Sequence, residues 1–345
     1  MTKVIELQNI KLKDINEYHL KLNANPTTIA VNNKGTMVIG CNDGHLLYYS
    51  DTFSKGKICS VKTSNSVIYA LKEYENNFIV SGDSGIVEIF SLNKLINKTE
   101  LDGTWIEFIA TNKQKNIFAV ASARTGIINS AGKISKIKMQ GGAPTGISID
   151  SWKSEILVSN RIGIHSWCQN GKFIYSHLTR GSLRGLAVSP SGRYICSALQ
   201  EGDIYCWQPA NNSEVMLAAE EHPYQDYKWS VDECWFAVLS KSVVNLFGNN
   251  YFGLNQQPNF SFKISDGFYF KKISWNPLFN TFCITDTTGR IWLVSISNYE
   301  TNRLIINQLR IDTKSPEIIS WSPNGDKLYL LSNKLVIEIT PSFHD

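Results

Sequence analysis

Residues 181–209 read GSLRGLAVSPSGRYICSALQEGDIYCWQP, and this stretch decides the fold. Three short apolar runs, 185–188, 194–198 and 203–207, are separated by two turn signals. The first, Ser189-Pro190-Ser191-Gly192, has Pro and Gly at the positions that tight turns favour. The second is Gln200-Glu201-Gly202. Short strands joined by tight turns form an antiparallel meander. So small a sheet cannot bury both faces alone, and the rest of the chain supplies what stacks on it by repeating the pattern.

The glycine of the second turn marks the phase. It recurs at Gly44, Gly85, Gly126, Gly163, Gly202 and Gly289, in steps of 41, 41, 37, 39 and 87 residues. The last step spans two periods, so residues 227–247 form a unit without its glycine, and residues 318–339 form an eighth. Each marker glycine is expected to supply positive φ in a hairpin turn. A period near 40 with three or four strands per unit reads as an all-β chain folded into a single β-propeller. Eight four-stranded blades are the count, with seven and an irregular insertion as the alternative. First runs such as 28–31, 146–149 and 185–188 are small and apolar, as innermost strands require. Second runs such as 78–80, 117–120 and 235–239 are continuously apolar and should be buried on both faces. Outer strands are expected near 57–62, 133–139, 173–177, 260–264 and 304–311. Residues 18–22 should complete the last unit, 316–340, making residues 1–345 one domain.

Composition agrees with this class. The chain of 345 residues is 43% hydrophobic, enough for a large core. Its net charge of +4, from 34 basic and 30 acidic residues, is too balanced to argue for nucleic acid as the main partner. Seven cysteines show no CxxC, and Cys196, Cys206 and Cys283 sit in apolar runs, which reads as buried reduced thiols. The first residues hold no apolar signal segment, and no run is long enough to cross a membrane as a helix. A cytoplasmic protein with no membrane partner is the expectation.

Ser189-Pro190-Ser191-Gly192-Arg193, Ser322-Pro323-Asn324-Gly325-Asp326 and Glu201-Gly202-Asp203-Ile204-Tyr205-Cys206-Trp207 resemble WD40 repeats. No unit ends in Trp-Asp; the position five past the marker glycine is Tyr49, Phe90, Trp207 or Val294. The Asp-His-Ser/Thr-Trp network of many WD40 blades is therefore not expected, which leaves apolar packing as the main tie between blades. The resemblance implies a non-catalytic scaffold for protein–protein interaction.

Catalytic signatures are missing from the sequence. Six histidines are scattered at no metal-ligand spacing, and there is no nucleophile elbow and no P-loop. No cofactor and no metal are expected. A binding surface is expected instead on the loops that lead into the inner strands. Trp105, Arg184, Tyr227, Lys228, Lys271 and Lys272 combine there the aromatic and cationic types enriched at binding hot spots. Their sign suits an acidic peptide or protein; RNA is the less favoured partner. The rival from another class is a hydrolase or small-molecule binder using the central channel, with Asp102, Asp226 and Asp266 as its candidate acids. The connection 247–262 is a second candidate, where Tyr251, Phe252 and Leu254 either form a docking patch or fold back over the sheet edge. Folding back is the favoured reading.

Overall fold

The computed structural model describes residues 3–6, 16–50, 56–102, 105–179, 181–200, 202–218, 224–251, 253–263, 268–297, 303–310 and 316–341. Every regular element among them is a strand, and the strands form eight sheets. The third sheet shows the rule. Phe108–Asn112, Ile117–Ala121, Thr125–Ser130 and Lys133–Lys138 follow one another as inner, second, third and outer strand, all antiparallel. Connections this short permit no parallel neighbour.

The chain divides into two compact units, residues 22–201 and residues 1–21 with 202–345. The first unit holds the sheets whose inner strands are Pro26–Val31, Ile68–Tyr74, Phe108–Asn112 and Pro144–Ile149, and the strands Leu183–Val188 and Ile195–Leu199 of the fifth sheet. The second unit holds Ile204–Gln208 and Ser213–Leu217 of that sheet. Its other three sheets begin at Asp226–Trp229, Phe270–Trp275 and Ile318–Trp321.

The continuous apolar runs become second strands. Met37–Cys41, Ile117–Ala121, Ile156–Asn160, Trp235–Leu239 and Leu328–Ser332 are buried at every position, as strands covered on both faces must be. Outer strands are wetter; Lys133–Lys138 is mostly exposed. Cores form between neighbouring sheets. In the second unit Trp235, Phe260 and Phe262 of the sixth sheet pack with Phe270, Phe282 and Trp292 of the seventh. Each fully buried aromatic of this kind stabilises by about 1.5–3 kcal/mol relative to exposure.

Polar ties add to this packing. Trp229, Trp275 and Trp321 end successive inner strands at intervals of 46 residues. The Trp275 indole N–H donates to the Lys228 carbonyl at 3.1 Å, and that of Trp321 donates to the Ser274 carbonyl at 3.1 Å. Each bond runs to the inner strand of the preceding sheet. The Asn276 amide also donates to the Gly325 carbonyl at 2.7 Å. In this unit indole-to-backbone bonds therefore link neighbouring sheets, alongside the apolar packing foreseen from the sequence.

The marker glycines divide into two kinds. Gly44, Gly85, Gly202 and Gly289 have positive φ, at 74°, 75°, 118° and 85°. Gly126 and Gly163 do not, so the expectation of positive φ fails for them. There the requirement is space: a Cβ on Gly126 would lie 2.6 Å from the Val120 carbonyl oxygen, and one on Gly163 would collide with the His177 carbonyl.

Asn16–Lys21 forms the outer strand of the eighth sheet, antiparallel to Leu335–Thr340, with Asn16 opposite Thr340 and Lys21 opposite Leu335. The strand expected at residues 18–22 thus begins two residues earlier. A second N-terminal strand, Lys3–Glu6, lies parallel to Phe260–Lys263 at the outer edge of the sixth sheet. In that same sheet the third strand, Val243–Asn250, runs on and turns at Tyr251 into Gly253–Leu254, which pairs back on it. Leu254 is buried, as folding back requires, but Tyr251 is 94% exposed at the tip. Phe252 lies outside the described residues.

Candidate functional site: the loops leading into the inner strands

In the unit of residues 22–201, the second sheet presents Trp105. Its backbone has φ of 64°, and its indole is 62% exposed. The next residue anchors the loop: Ile106 is fully buried, and its N–H donates to the Gly82 carbonyl at 2.8 Å. The Trp105 ring meets Tyr69 edge-on, with centroids 6.2 Å apart. Tyr69 lies at a bulge in its strand, between Ile68 and Ala70, and bulges re-aim side chains in this way. Asp83 stiffens the same loop by accepting from the N–H groups of Ser66 and Val67 at 2.8 and 3.0 Å. Arg184 is exposed on Leu183–Val188, opposite Ala198 and at the start of another bulge.

In the other unit the sixth and seventh sheets bring Tyr227, Lys228, Lys271 and Lys272 to the leading ends of their inner strands. Asp226 organises them. Its carboxylate accepts from the N–H of Tyr227 at 3.0 Å and of Ile273 at 3.3 Å, and lies 3.6 Å from the Lys228 ammonium. Tyr227 is half-buried, edge-on to Phe236. Lys272 is exposed and Lys271 half-buried, at a bulge between Phe270 and Lys272.

Four further residues belong to this end, and sequence reading missed them. The Lys241 ammonium lies 4.0 Å above the Tyr269 ring, and the Arg290 guanidinium lies 4.1 Å from the Phe268 ring. Arg290 also pairs with the fully buried Asp286 at 2.7 Å. Backbone bonds lace the loops together, from Phe270 N–H to the Lys241 carbonyl and from Thr287 N–H to the Tyr269 carbonyl, both at 2.8 Å. The available signal was the aromatic run Phe268-Tyr269-Phe270 standing directly before Lys271 and Lys272, which puts cations beside rings.

The acids considered for a channel enzyme do not converge within either unit's described residues. Asp226 is engaged by two backbone N–H groups, Asp102 belongs to the other unit, and Asp266 lies outside the described residues. His165 is buried in its strand with Nδ1 2.7 Å from the Ser176 hydroxyl, and burial lowers its pKa below the ordinary value. Among the described residues no group of three or more His, Cys, Asp or Glu is placed to hold a metal ion. No helix there is long and apolar enough to cross a membrane.

Solved structures with the same architecture fix the fold. A structure described as the Dos1 propeller superposes with a TM-score of 0.76, covering 95% of each chain at 11% identity. The fold is a β-propeller. Sqt1 of Saccharomyces cerevisiae superposes with a TM-score of 0.77 over 96% of this chain and 100% of its own, at 10% identity. The eight sheets are the propeller's blades. Identities this low show a shared fold and nothing finer. No family model matches the chain, and no curated protein matches it.

Proposed function

We propose that this propeller is a non-catalytic platform that binds an acidic segment of a partner protein on the loops leading into its inner strands. The observation that carries the reading is the basic and aromatic end of the sixth and seventh blades. Lys241 lies over Tyr269 and Arg290 over Phe268, and Lys228, Lys271 and Lys272 stand on the inner strands of the same two blades. The acids among them, Asp226 and Asp286, are already engaged by backbone and by Arg290. Cations held over aromatic rings on hydrogen-bonded loops meet carboxylates with little ordering cost. Trp105 and Arg184, exposed on the corresponding loops of the other unit, have the same character.

The test is binding of a dye-labelled glutamate- and tyrosine-containing peptide, set against a single-stranded RNA oligomer of equal charge. Wild-type protein is compared with the Lys271→Glu/Lys272→Glu variant. The reading requires the peptide to bind, to weaken with salt, and to lose about tenfold in the variant. Tighter binding of the RNA, or peptide binding that ignores the variant, overturns it.

A further inference from the structure

The inner strands of the sixth and seventh blades end, away from Lys271 and Lys272, in turns of unusual composition. At this position the fifth and eighth blades carry Ser189-Pro190-Ser191-Gly192 and Ser322-Pro323-Asn324-Gly325, the small and polar residues that turns favour. The seventh blade carries Asn276-Pro277-Leu278-Phe279 instead. Its geometry needs neither large side chain. Asn276 closes the turn with its side-chain oxygen, which accepts from Leu278 N–H at 2.9 Å and Phe279 N–H at 3.2 Å. Leu278 is nevertheless 63% exposed and Phe279 53%, while Val231 in the sixth blade's turn is 55% exposed.

These residues share one corner. The Asn280 side chain helps to stabilise the Asp232 carboxylate, which places the two turns side by side. The hairpin ending at Tyr251 joins them too: Asn249 N–H donates to the Cys234 carbonyl at 2.8 Å, and its side-chain amide donates to the Glu233 carbonyl at 3.0 Å. Four exposed apolar side chains, those of Val231, Tyr251, Leu278 and Phe279, thus come from three neighbouring segments. Apolar surface gathered this way marks a contact site more often than chance exposure.

The rim is acidic. Residues 230–235, 249–259 and 276–281 contain Asp232 and Glu233 but no Lys or Arg, in a chain whose net charge is +4. Asp232 is fixed by the Ser230 hydroxyl at 2.6 Å and the Cys234 N–H at 3.0 Å. Burial pushes its carboxyl up, but the bonds from Ser230, Cys234 and Asn280 outweigh that and hold its pKa below the usual value.

We propose that this corner is a second docking surface, taking an apolar segment of a partner protein flanked by Lys or Arg. The apolar side chains of the segment cover Leu278, Phe279, Val231 and Tyr251, and its cations face Asp232 and Glu233. Its sign is opposite to that of the surface at the other ends of the same strands, so the two faces select different partners.

The probe is a dye-labelled peptide of alternating leucine and phenylalanine with two lysines at each end, read by fluorescence anisotropy. Its counterpart carries glutamates in place of the lysines. The lysine-flanked peptide should bind at least about tenfold more tightly than the glutamate-flanked one. Leu278→Ser/Phe279→Asn should weaken it by about tenfold. Asp232→Asn/Glu233→Gln should weaken it and flatten its salt dependence, while Lys271→Glu/Lys272→Glu should not weaken it. Thermal unfolding of each variant accompanies the titration. Tyr251→Ser, at a hairpin tip, repeats the test without touching either turn. Equal binding of both peptides, or binding indifferent to these changes, overturns the proposal. So does concentration-dependent self-association removed by Leu278→Ser/Phe279→Asn, which would assign the corner to a second copy of the chain.

Discussion

Replacing Trp275 by Phe tests whether indole bonds to the preceding blade stabilise the fold. Phe keeps an aromatic ring against Phe282, whose centroid lies 4.6 Å from that of Trp275, but removes the N–H that reaches the Lys228 carbonyl at 3.1 Å. Loss of a part-buried hydrogen bond costs about 0.5–1.5 kcal/mol, and the smaller ring adds about 1 kcal/mol in lost packing. Trp275→Phe should therefore cost roughly 2 kcal/mol, and Trp321→Phe, with the same bond to Ser274, a similar amount. Trp292 is the control. It is 1% exposed, and its indole N–H has no hydrogen-bond partner among the described residues. Trp292→Phe shrinks the ring without breaking such a bond, so it should cost about 1 kcal/mol less than Trp275→Phe. Denaturant midpoints followed by far-UV circular dichroism give the three values. If Trp275→Phe and Trp321→Phe are no more costly than Trp292→Phe, the indole bonds contribute nothing and packing alone holds these blades.

Three further outcomes are expected. Lys327 lies 3.0 Å from Glu338, whose side chain is 4% exposed, so Lys327→Met leaves a buried carboxylate alone. It should lose about 3–5 kcal/mol in denaturant unfolding, and Glu338→Leu in the same chain should recover much of it. Burial lowers the His165 pKa in the folded state below its ordinary 6.5, so the unfolded chain binds the extra proton first. The stability this group contributes is full above about pH 6.5 and is lost as pH falls towards the folded-state pKa. His165→Gln should flatten the fall of the denaturant midpoint between about pH 7 and pH 5; an unchanged slope would exclude His165 as its source. The Cys41 thiol is buried, and its pKa is pushed up to about 12 by that burial and by the nearby Asp43 charge. Maleimide at neutral pH should modify it only after unfolding, as mass spectrometry of the labelled peptides would show.

Most of the architecture was legible because turn chemistry punctuates the chain. Pro and Gly at Ser189–Gly192 and Ser322–Gly325 fix where strands end, and continuous apolar runs announce the second strands. The outer strand at Lys133–Lys138 could be placed by its position between two repeat units, although its sequence KISKIK does not alternate. Other features have no local signature. Lys3–Glu6 pairs with a strand more than 250 residues away, and nothing in four residues names that partner. Gly163 looks like a turn glycine, yet what it meets is a carbonyl on the neighbouring strand. Trp229, Trp275 and Trp321 were visible at a fixed interval, but an interval does not disclose which carbonyl an indole will reach. Lys241 and Arg290 were missed because they meet Tyr269 and Phe268 from separate turns, and only the folded backbone brings those turns together.

The outer strand of the eighth blade, Asn16–Lys21, is synthesised more than 300 residues before its neighbour Leu335–Thr340. At about 5–20 residues per second the first strand waits roughly 15–60 s for its neighbour. Through that interval the sheet it will complete does not exist, and its backbone groups are open to any other strand edge. Folding of this propeller during synthesis can therefore proceed blade by blade between the two strands, but the eighth blade is completed only by capturing a strand made long before its neighbour. A chaperone that shields nascent chains would have most to protect here.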